Sequence, residues 1–521
     1  MSKTIALTGT TGAMGGEVLL SLLQSDKQFN IRAILFDKEK KIPSFVKNTL
    51  KKYRDRVYAF KGDISRYDDC AHLIDGADYV INCASLIPPK SDHNPTGTYQ
   101  SNFVGTKNIV DAIAASGRAD DIGLVHIATV AMYGHRAYPH LWIRVGDPII
   151  SSDYDVYSMH KLKAEKYVLE SGLKKFVSLR QTAVLHKYMF KNNLKDGLMF
   201  HTTYNGALEW VTDADSGILC RKLVEKDTDG QLDNFWNRIY NIGGGAECRI
   251  TGFETFEEAF GIMGGGAKKF FKPNYNITRN FHGGWFMDSD DLEEKLEFRN
   301  ETNADFWARM NKKYAYYKAG KLLPAPLVAA MVIKPLLKNT NAPKFWVNKG
   351  KSGRVKAFFG GETEYRKIPD KWDDYPLLCE NKLPDGSEVD YKALKDIANA
   401  KNYALDHGYD DSKPLNEITL EDLKSAAKFR GGKCLAKEYG GELHNKLLWK
   451  CRDGHEFTLT PFTVLKGGYW CPHCCEPKPW KYGAIADIPF YGQVYFDSHD
   501  DTEVDDVFPV FDHEEDFIIK K

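Results

Sequence analysis

The sequence predicts an α/β fold, with helices on both faces of a doubly wound parallel sheet, followed by a small C-terminal α+β unit. Three observations predict it. Short β-rich runs alternate with amphipathic segments over the first 180 residues, a glycine-rich loop follows the first run, and cysteines cluster near the end. A chain of 521 residues is too long for one ordinary core, so we expect two or three domains.

The β-rich runs come in a regular order along the N-terminal third. They read "TIALTG", "IRAILF", "VYAF", "YVINCA", "GLVHIATV" and "KFVSLR", and amphipathic stretches such as "TYQSNFVGTKNIVDAIAAS" lie between them. This order predicts a core over about residues 1–185. The less regular, aromatic stretch that follows predicts a smaller substrate lobe, mainly residues 186–315.

Beyond residue 315 the pattern changes three times. Residues 316–412 predict a helical and irregular connecting region. A further unit covers 413–482, where Thr419 and Asp422 have the spacing of a helix-capping pair before "LKSAAKF". Residues 483–521 form an acidic tail, in which "PFYGQVYFD" predicts one strand.

Composition and charge narrow the class of protein. Hydrophobic residues make up 43% and charged residues 27%, and 71 basic residues balance 71 acidic ones. The chain is therefore globular, and its net charge gives no electrostatic reason for binding nucleic acid or anionic lipid. The longest apolar run, 322–333, contains Pro324 and Pro326 and is too short for a membrane span, so it predicts a core or interface helix.

The N-terminus and the cysteines indicate the compartment. The chain runs from "MSK" directly into its first strand, without the charged and apolar regions of a secretory leader. Its ten cysteines are scattered and do not form a disulfide framework. We therefore expect reduced thiols and a cytoplasmic protein.

The glycine loop "TGTTGAMGG" lies between the first strand and the first helix. Gly9, Gly12 and Gly15 allow the backbone to approach a ligand closely, and a helix N-terminus attracts anions. Strand, loop and helix occur in the order that a dinucleotide site requires. The loop residues predicted to hold the pyrophosphate are Gly9, Thr11, Gly12, Ala13, Met14 and Gly15.

Together with "GDIS", "NCAS", "SNFVGTKN", "HIATVAMYG" and "YSMHK", this loop resembles the extended short-chain dehydrogenase/reductase family, also called the NAD-dependent epimerase/dehydratase family, over about residues 3–315. The resemblance implies a Rossmann-type sheet with Asp63 and Ile64 against the adenine. It implies that Asn102 braces the backbone of the active site. It also places the end of the fourth strand beneath the cofactor: Cys83, Ala84 and Ser85.

The choice of nicotinamide depends on the end of the second strand, "LFDKEKK". An acidic residue there binds the ribose hydroxyl of NAD(H), whereas basic residues bind the phosphate of NADP(H). Asp37 is followed by Lys38 and Lys41, and Phe36 stands where many NADP-using relatives have Arg. The signal leans slightly to NADP(H), and NAD(H) remains open.

The candidate catalytic residues are Tyr157 and Lys161, which the spacing places one helical turn apart on the same face. A nearby ammonium favours the phenolate, so Lys161 is expected to lower the pKa of Tyr157 and also to hold the nicotinamide ribose. Thr129 matches the position at which the family has a hydroxyl residue that binds the reacting oxygen. The resemblance thus assigns catalysis to Thr129, Tyr157 and Lys161, with Asn102 in support.

Departures from the family pattern narrow the reaction. Dehydratases carry an acid pair after the hydroxyl residue, whereas Val130 and Ala131 stand here. Sugar-nucleotide epimerases usually carry Asn where this chain has Ala183, and Pro where it has Gln181. The leading hypothesis is a carbonyl reductase or secondary-alcohol dehydrogenase.

Two other hypotheses stay open. One is a sugar-nucleotide epimerase that uses the same catalytic residues, and the other is a dinucleotide-sensing protein whose C-terminal unit contacts nucleic acid or protein. Aromatic and apolar residues on the substrate side predict an apolar or ring-bearing small-molecule substrate, although core packing explains most of them: Met189, Phe190, Trp210, Phe281, Trp285 and Phe286.

Near the C-terminus the sequence predicts a structural zinc site. Cys451 and His455 are followed, after 15 residues, by Cys471 and Cys474, and three thiolates with one imidazole make a closed tetrahedral set. The segment resembles zinc-ribbon or treble-clef modules, with Cys434 and Cys475 left over. We expect this module to dock on the enzyme domain or to build a homodimer; nucleic-acid binding is disfavoured, and no membrane partner is expected.

Overall fold

The computed structural model describes residues 2–39, 41–189, 195–317, 324–475, 480–481, 486–503 and 507–508. Its central feature is a seven-stranded sheet in which all neighbouring strands are parallel. In spatial order the strands are Arg238–Ile242, Phe176–Gln181, Gly123–Thr129, Tyr79–Asn82, Thr4–Thr8, Asn30–Phe36 and Val57–Gly62. This is the order of a doubly wound Rossmann-type sheet, so the predicted fold class is confirmed.

Helices bury both faces of the sheet, which explains why its strands read as nearly continuous apolar runs. Ala13–Leu23 and Asp213–Thr228 pack on one face, around Leu19 and Leu223. Three helices cover the other face: Tyr67–Ile74, Gly105–Ala115 and Val156–Leu169. The first turn of each crossover helix therefore starts near the carboxyl edge of the sheet, where ligands of this fold bind.

The lobe beside that edge consists of short pieces. Its two-stranded sheets pair Trp142–Ile143 with Trp285–Phe286, Val184–Leu185 with Val211–Thr212, and Ala207–Glu209 with Arg249–Thr251. The remaining helices up to residue 315 are Ser44–Lys52, Lys90–His93, Pro95–Thr98, Gly252–Gly261, Ala267–Phe270, Ser289–Leu296 and Asn303–Lys313. A π-helix, Tyr99–Val104, leads directly into Gly105–Ala115.

The connecting region is helical and packs on the lobe. Its helices are Ala325–Val328, Lys334–Leu336, Pro343–Asn348, Ser352–Phe359, Glu362–Lys367, Tyr391–Leu394 and Ile397–Ala400. Trp346 and Phe358 are buried, and the indole of Trp142 donates a hydrogen bond of 2.9 Å to the Leu394 carbonyl. Within the described ranges, no helix is long and apolar enough to cross a membrane.

The C-terminal unit starts with helix Leu420–Phe429. Thr419 caps it, and Asp422 completes the predicted capping box by accepting hydrogen bonds from the Thr419 backbone and hydroxyl. An antiparallel sheet follows, made of Lys433–Cys434, Leu447–Lys450 and Glu456–Leu459, and then the short helices Pro461–Leu465 and Pro472–Cys475. Its buried side chains join the same apolar cluster as one face of the parallel sheet.

The strand predicted within "PFYGQVYFD" is wrong, because Pro489–Tyr495 forms a helix. Pro489 occupies the first turn, where a missing N–H costs nothing. Phe490, Tyr491, Val494 and Tyr495 are all buried, and their i, i+1, i+4, i+5 spacing suits one face of a helix. The only strand pair near the end of the described residues joins Trp480–Lys481 to Val507–Phe508.

Candidate active site and metal centre

The glycine loop is packed so tightly that side chains would not fit. Gly9 has φ +70°, and a Cβ there would lie 2.7 Å from the Cys83 backbone. A Cβ on Gly15 would lie 2.2 Å from the Gly9 carbonyl oxygen. Gly12 is the N-cap of helix Ala13–Leu23 and offers no side chain to its first N–H groups. The loop therefore has the cradle that a pyrophosphate requires.

The end of the fourth strand lies beside this loop and is held in place by hydrogen bonds. The Thr8 hydroxyl donates to Asn82 Oδ1 at 2.8 Å and accepts from the Ala84 N–H at 2.9 Å. Asn102 accepts from the Leu86 N–H at 2.7 Å and donates to its carbonyl at 3.0 Å. Asn102 thus binds the backbone at Leu86 through both of its side-chain groups, while its bracing role in an active site stays a prediction.

Two buried hydroxyls near the loop lack hydrogen-bond partners within the described ranges. They belong to Thr10 and to Ser85. A buried hydroxyl without a partner is costly, so such atoms are expected where a ligand or water completes the bonding. The glycine cradle and these two atoms fit a bound dinucleotide.

The end of the second strand, where the ribose of the cofactor is expected, carries both acidic and basic side chains. Asp37 directly follows the second strand and accepts a hydrogen bond of 2.7 Å from the Arg66 guanidinium, which lowers the pKa of the Asp37 carboxyl. Lys38 lies 3.8 Å from Asp63, and Ile64 is buried. A carboxylate at this place can accept from ribose hydroxyls, and Arg66 and Lys38 are the cations within reach of a phosphate.

Tyr157 and Lys161 lie on helix Val156–Leu169, which Asp155 caps by accepting from the Ser158 N–H at 2.9 Å. Thr129 ends a fully buried strand, and its hydroxyl lies close enough to the Tyr157 phenol to act on the pKa of that phenol in the lowering direction. The structure therefore brings the three predicted catalytic residues to one edge of the sheet.

The pKa values of this pair differ from the expected pattern. Burial raises the pKa of Tyr157 to about 12; the nearby Thr129 and Ser85 hydroxyls act in the lowering direction, and Asp155 adds a smaller raising effect. The Lys161 ammonium donates to the Ile127 carbonyl at 2.5 Å, and burial lowers its pKa to about 8. Within the protein itself, desolvation of the phenol outweighs the expected effect of Lys161.

The structure adds polar residues that the sequence did not point to. Asp92 is half-buried, and desolvation together with Asp155 raises its pKa to about 7. His282 lies 3.3 Å from Asp155, and the Arg354 guanidinium lies 4.5 Å from the centre of the Tyr154 ring. These residues come from four distant segments, so no local pattern links them. The one available signal is the position of Asp155, an N-cap residue directly before the Tyr157 helix.

The predicted apolar substrate residues mostly belong to the core. Trp285 and Phe286 form a buried strand, and Trp210 is buried with its indole hydrogen-bonded to Thr255 at 3.1 Å. Phe190 lies outside the described residues. The expected apolar pocket therefore has little support from these side chains.

The four predicted metal ligands converge. One donor atom from each of Cys451, His455, Cys471 and Cys474 lies within 4.8 Å of the others. His455 Nδ1 is 3.4, 3.8 and 3.3 Å from the three sulfurs in turn, and the sulfurs of Cys451 and Cys474 are 3.7 Å apart. Tetrahedral bonds of about 2.0 Å to nitrogen and 2.3 Å to sulfur separate ligand atoms by about 3.5–3.8 Å. The donor set thus fits zinc in chemistry and spacing.

Cys475 does not belong to this group. It is buried, and its thiol lies outside the cluster of four donor atoms. Cys434 also lies outside the group, in the first strand of the small sheet.

Fold and site together define an α/β protein with a Rossmann-type sheet, a glycine loop after the first strand and a Tyr–Lys–Thr set. A model of the NAD dependent epimerase/dehydratase family matches residues 5–201, the segment that carries this set. The predicted resemblance is confirmed for that segment. UDP-glucose 4-epimerase of Rickettsia felis is 29% identical over 114 residues, or 22% of this chain and 33% of that protein. The alignment thus spans about a third of the length of the curated relatives.

The chain is also similar, at low identity, to solved structures. dTDP-glucose 4,6-dehydratase from Bacillus anthracis in complex with NAD is 17% identical, covering 63% of this chain and 100% of its own, with a TM-score of 0.49. UDP-glucuronic acid 4-epimerase from Bacillus cereus in complex with NAD is 17% identical, covering 61% and 99%, with a TM-score of 0.45. The strand order establishes the fold independently of both.

Proposed function

We propose that this chain is an NAD-dependent enzyme of the epimerase/dehydratase type that acts on a secondary alcohol of a sugar nucleotide, most simply as an epimerase. The observation that carries the proposal is the meeting of Thr129, Tyr157 and Lys161 beside the glycine loop. The family match over residues 5–201 and the relative named UDP-glucose 4-epimerase support this substrate class over the apolar ketone that the sequence favoured.

The protein's own groups would handle the proton. Tyr157, with its pKa raised to about 12, is protonated at neutral pH and suits donation to a carbonyl oxygen. To act as a base it needs a cation nearby, and Lys161, one turn away, supplies one when its ammonium turns from the Ile127 carbonyl. Thr129 would hold the reacting oxygen. When bound, the nicotinamide would take a hydride from the alcohol carbon and return it.

Two departures from the family shape the proposal. Val130 and Ala131 are buried apolar residues after Thr129, so elimination of water has no acid at that place. Ala183 replaces the usual Asn, so the sugar would be gripped by other side chains, for which Asp92, Asp155 and Arg354 are available. A secondary-alcohol dehydrogenase that needs no such Asn is the second candidate, favoured by Ala183 alone.

For the cofactor we propose NAD(H) in place of the slight preference for NADP(H). Asp37 lies at the end of the second strand, where its carboxylate repels a 2′-phosphate and accepts from ribose hydroxyls. The family description also names NAD. Arg66 and Lys38 are the residues through which NADP(H) could still bind, and a cofactor competition measures the difference.

The metal centre is proposed to hold structural Zn²⁺. Cys471 and Cys451 are buried, and four protein ligands leave no position for substrate or activated water. The centre is therefore assigned to folding rather than to the reaction.

The test is turnover of UDP-glucose, UDP-galactose, UDP-glucuronic acid and dTDP-glucose with NAD, followed by NMR of the sugar and absorbance at the nicotinamide band. Tyr157→Phe should lower kcat by about 10²–10⁴-fold, the usual contribution of general acid–base catalysis. The matched control is Tyr167→Phe on the same helix, whose hydroxyl donates to Asp111 at 2.6 Å. Equal turnover by Tyr157→Phe and wild type would refute the proposal.

A further inference from the structure

The helix that carries Tyr157 and Lys161 also carries a buried carboxylate one turn further on, at Glu165. Glu165 Oε1 accepts from the Ser178 hydroxyl at 2.7 Å and from Arg180 Nε at 3.0 Å. Oε2 accepts from Arg180 Nη2 at 2.7 Å and from the Tyr469 hydroxyl at 2.8 Å. Glu165 and Arg180 are both fully buried. Removing a partner of such a buried ion pair is costly, because a buried charge then loses compensation.

Two of those partners belong to the C-terminal unit. Tyr469 donates to Glu165, and the Gly467 carbonyl accepts from Arg180 Nη2 at 2.8 Å. Arg180 Nη1 donates to the hydroxyl of Tyr133, in the turn after Thr129, at 2.7 Å. The loop 466–470 thus completes a network between the Tyr157 helix and the end of the neighbouring strands.

This loop is locked at both ends. Gly468 has φ +79°, and a Cβ there would lie 2.0 Å from the Asp147 carbonyl oxygen, so the backbone is pressed against the enzyme unit. At its other end the loop runs through Trp470 into the metal ligand Cys471. Trp470 packs edge-on to Trp449, with ring centres 5.8 Å apart. Metal binding at Cys471 would therefore anchor the C-terminal end of the loop that carries Tyr469.

A second contact holds the end of the same helix. The backbone N–H and hydroxyl of Thr460 donate to Glu170 Oε1 at 3.0 and 2.9 Å, and Glu170 is the C-cap residue of helix Val156–Leu169. The C-terminal unit therefore holds this helix at Glu165 and at Glu170, while the first turns carry the proton-transfer pair.

We propose that the metal centre of Cys451, His455, Cys471 and Cys474 positions the Tyr157 helix, with Tyr469 and Glu165 as the positioning residues that couple metal binding to the geometry of Tyr157 and Lys161. The role of the helix in turnover rests on the proposed function. The mechanical coupling between metal and helix does not, and it is measured separately.

The first experiment uses the full-length Tyr469→Phe protein, which keeps the ring and loses the donor to Glu165. Amide hydrogen exchange of peptides from 156–169 should become about tenfold faster, because a hydrogen bond to a buried charge is lost. Zinc content should stay at one per chain. Tyr439→Phe is the matched control, since in the described part of the chain the Tyr439 hydroxyl has no hydrogen-bond partner.

The second experiment removes zinc from the wild-type protein with a chelator and follows the same peptides. Exchange over 156–169 should rise by tenfold or more, while helix Asn303–Lys313, which lies on the lobe, serves as the internal reference. Zinc added back should restore protection. The coupling is overturned if the chain takes up no zinc, or if metal removal and Tyr469→Phe both leave exchange of the helix unchanged.

Turnover supplies a third readout. With any sugar nucleotide that is converted, Tyr469→Phe should lower kcat severalfold and move the alkaline limb of the pH–rate profile, with KM unchanged. A merely structural role would lower the amount of folded enzyme and leave the profile in place. Failure of all substrates refutes the proposed function and leaves hydrogen exchange to decide the coupling.

Discussion

The glycine loop near the N-terminus and the metal centre near the C-terminus prepare for their ligands in opposite ways. To the proposed dinucleotide the loop would offer backbone groups, because there is no room for side chains at Gly9 and Gly15. The metal centre instead offers the sulfur and nitrogen atoms of four side chains. Cys475, next to the ligand Cys474, is not one of these donors. Adding a side-chain atom to the loop should therefore weaken dinucleotide binding. Removing a donor atom from the metal centre should weaken zinc binding.

The largest effect is expected from a single ligand in the metal centre. Cys471→Ser should abolish stoichiometric zinc binding and lower the melting temperature strongly, because a structural zinc site supplies about 10–16 kcal/mol of binding free energy to folding. Metal analysis and calorimetry of the purified full chain measure both quantities.

The control for that change lies four residues away. Cys475→Ser alters a buried thiol outside the ligand set and should keep one zinc per chain, with a loss of about 1 kcal/mol in the free energy of unfolding. Zinc retained by Cys471→Ser, or lost from Cys475→Ser, would show that the ligand set is assigned wrongly.

In the glycine loop, adding one methyl group should be enough to weaken NAD binding. Gly15→Ala places a Cβ 2.2 Å from the Gly9 carbonyl oxygen, so the loop must move away from the helix. NAD affinity, measured by calorimetric titration, should fall by about 100-fold, since loop and helix N-terminus then no longer face the pyrophosphate together. Gly261→Ala, at the end of helix Gly252–Gly261 where a Cβ meets nothing within 4 Å, should leave the affinity unchanged.

A smaller change separates the two nicotinamides. Asp37→Ser removes the carboxylate at the ribose end, so the affinity for NAD should fall about tenfold. The affinity for NADP should rise, because the repelling carboxylate is gone and Arg66 keeps only Asp69 as an acidic partner. Competition binding of both cofactors gives the ratio. A wild-type protein that already prefers NADP would reverse the cofactor assignment.

The smallest effect is a pH dependence of stability. Burial lowers the pKa of Lys161 to about 8, below the roughly 10.4 of an unfolded chain, so the unfolded state binds more protons between these values. The contribution of Lys161 to the free energy of unfolding should therefore rise with pH, by about 1 kcal/mol from pH 8 to 9.

This slope is obtained by urea unfolding of wild type and Lys161→Met at both pH values. The difference between the two proteins should change by that amount, whereas Lys51→Met, on the exposed side of helix Ser44–Lys52, should show no such change. If the free energies of unfolding of wild type and Lys161→Met change equally with pH, the pKa of Lys161 is not lowered by burial.

Much of the N-terminal region was predictable because its signals are local. Continuous apolar runs and the glycine loop follow from strands buried on both faces and from a tight strand–helix turn. Tyr157 and Lys161 are one turn apart, so their spacing alone places them together. The metal ligands were also predictable from local signals, because all four lie within 24 residues of sequence at a spacing typical of zinc sites.

Other features depend on contacts between distant segments. Asp92, His282 and Arg354 approach the site from three elements, and no spacing in the sequence connects them. The helix Pro489–Tyr495 was mistaken for a strand because its aromatic residues suit either structure until burial on one face selects the helix.

The sequence by itself determined the parallel sheet, the cradle for a dinucleotide, the Tyr–Lys pair and the four donors of the metal centre, because each depends on residue type at short spacing. Only the tertiary structure decided the pKa values of Tyr157 and Lys161 and the contact of the metal-binding unit with Glu165. Both depend on which groups are buried together, and burial is a property of the packed chain, since residues 165 and 469 meet only after the whole molecule has folded.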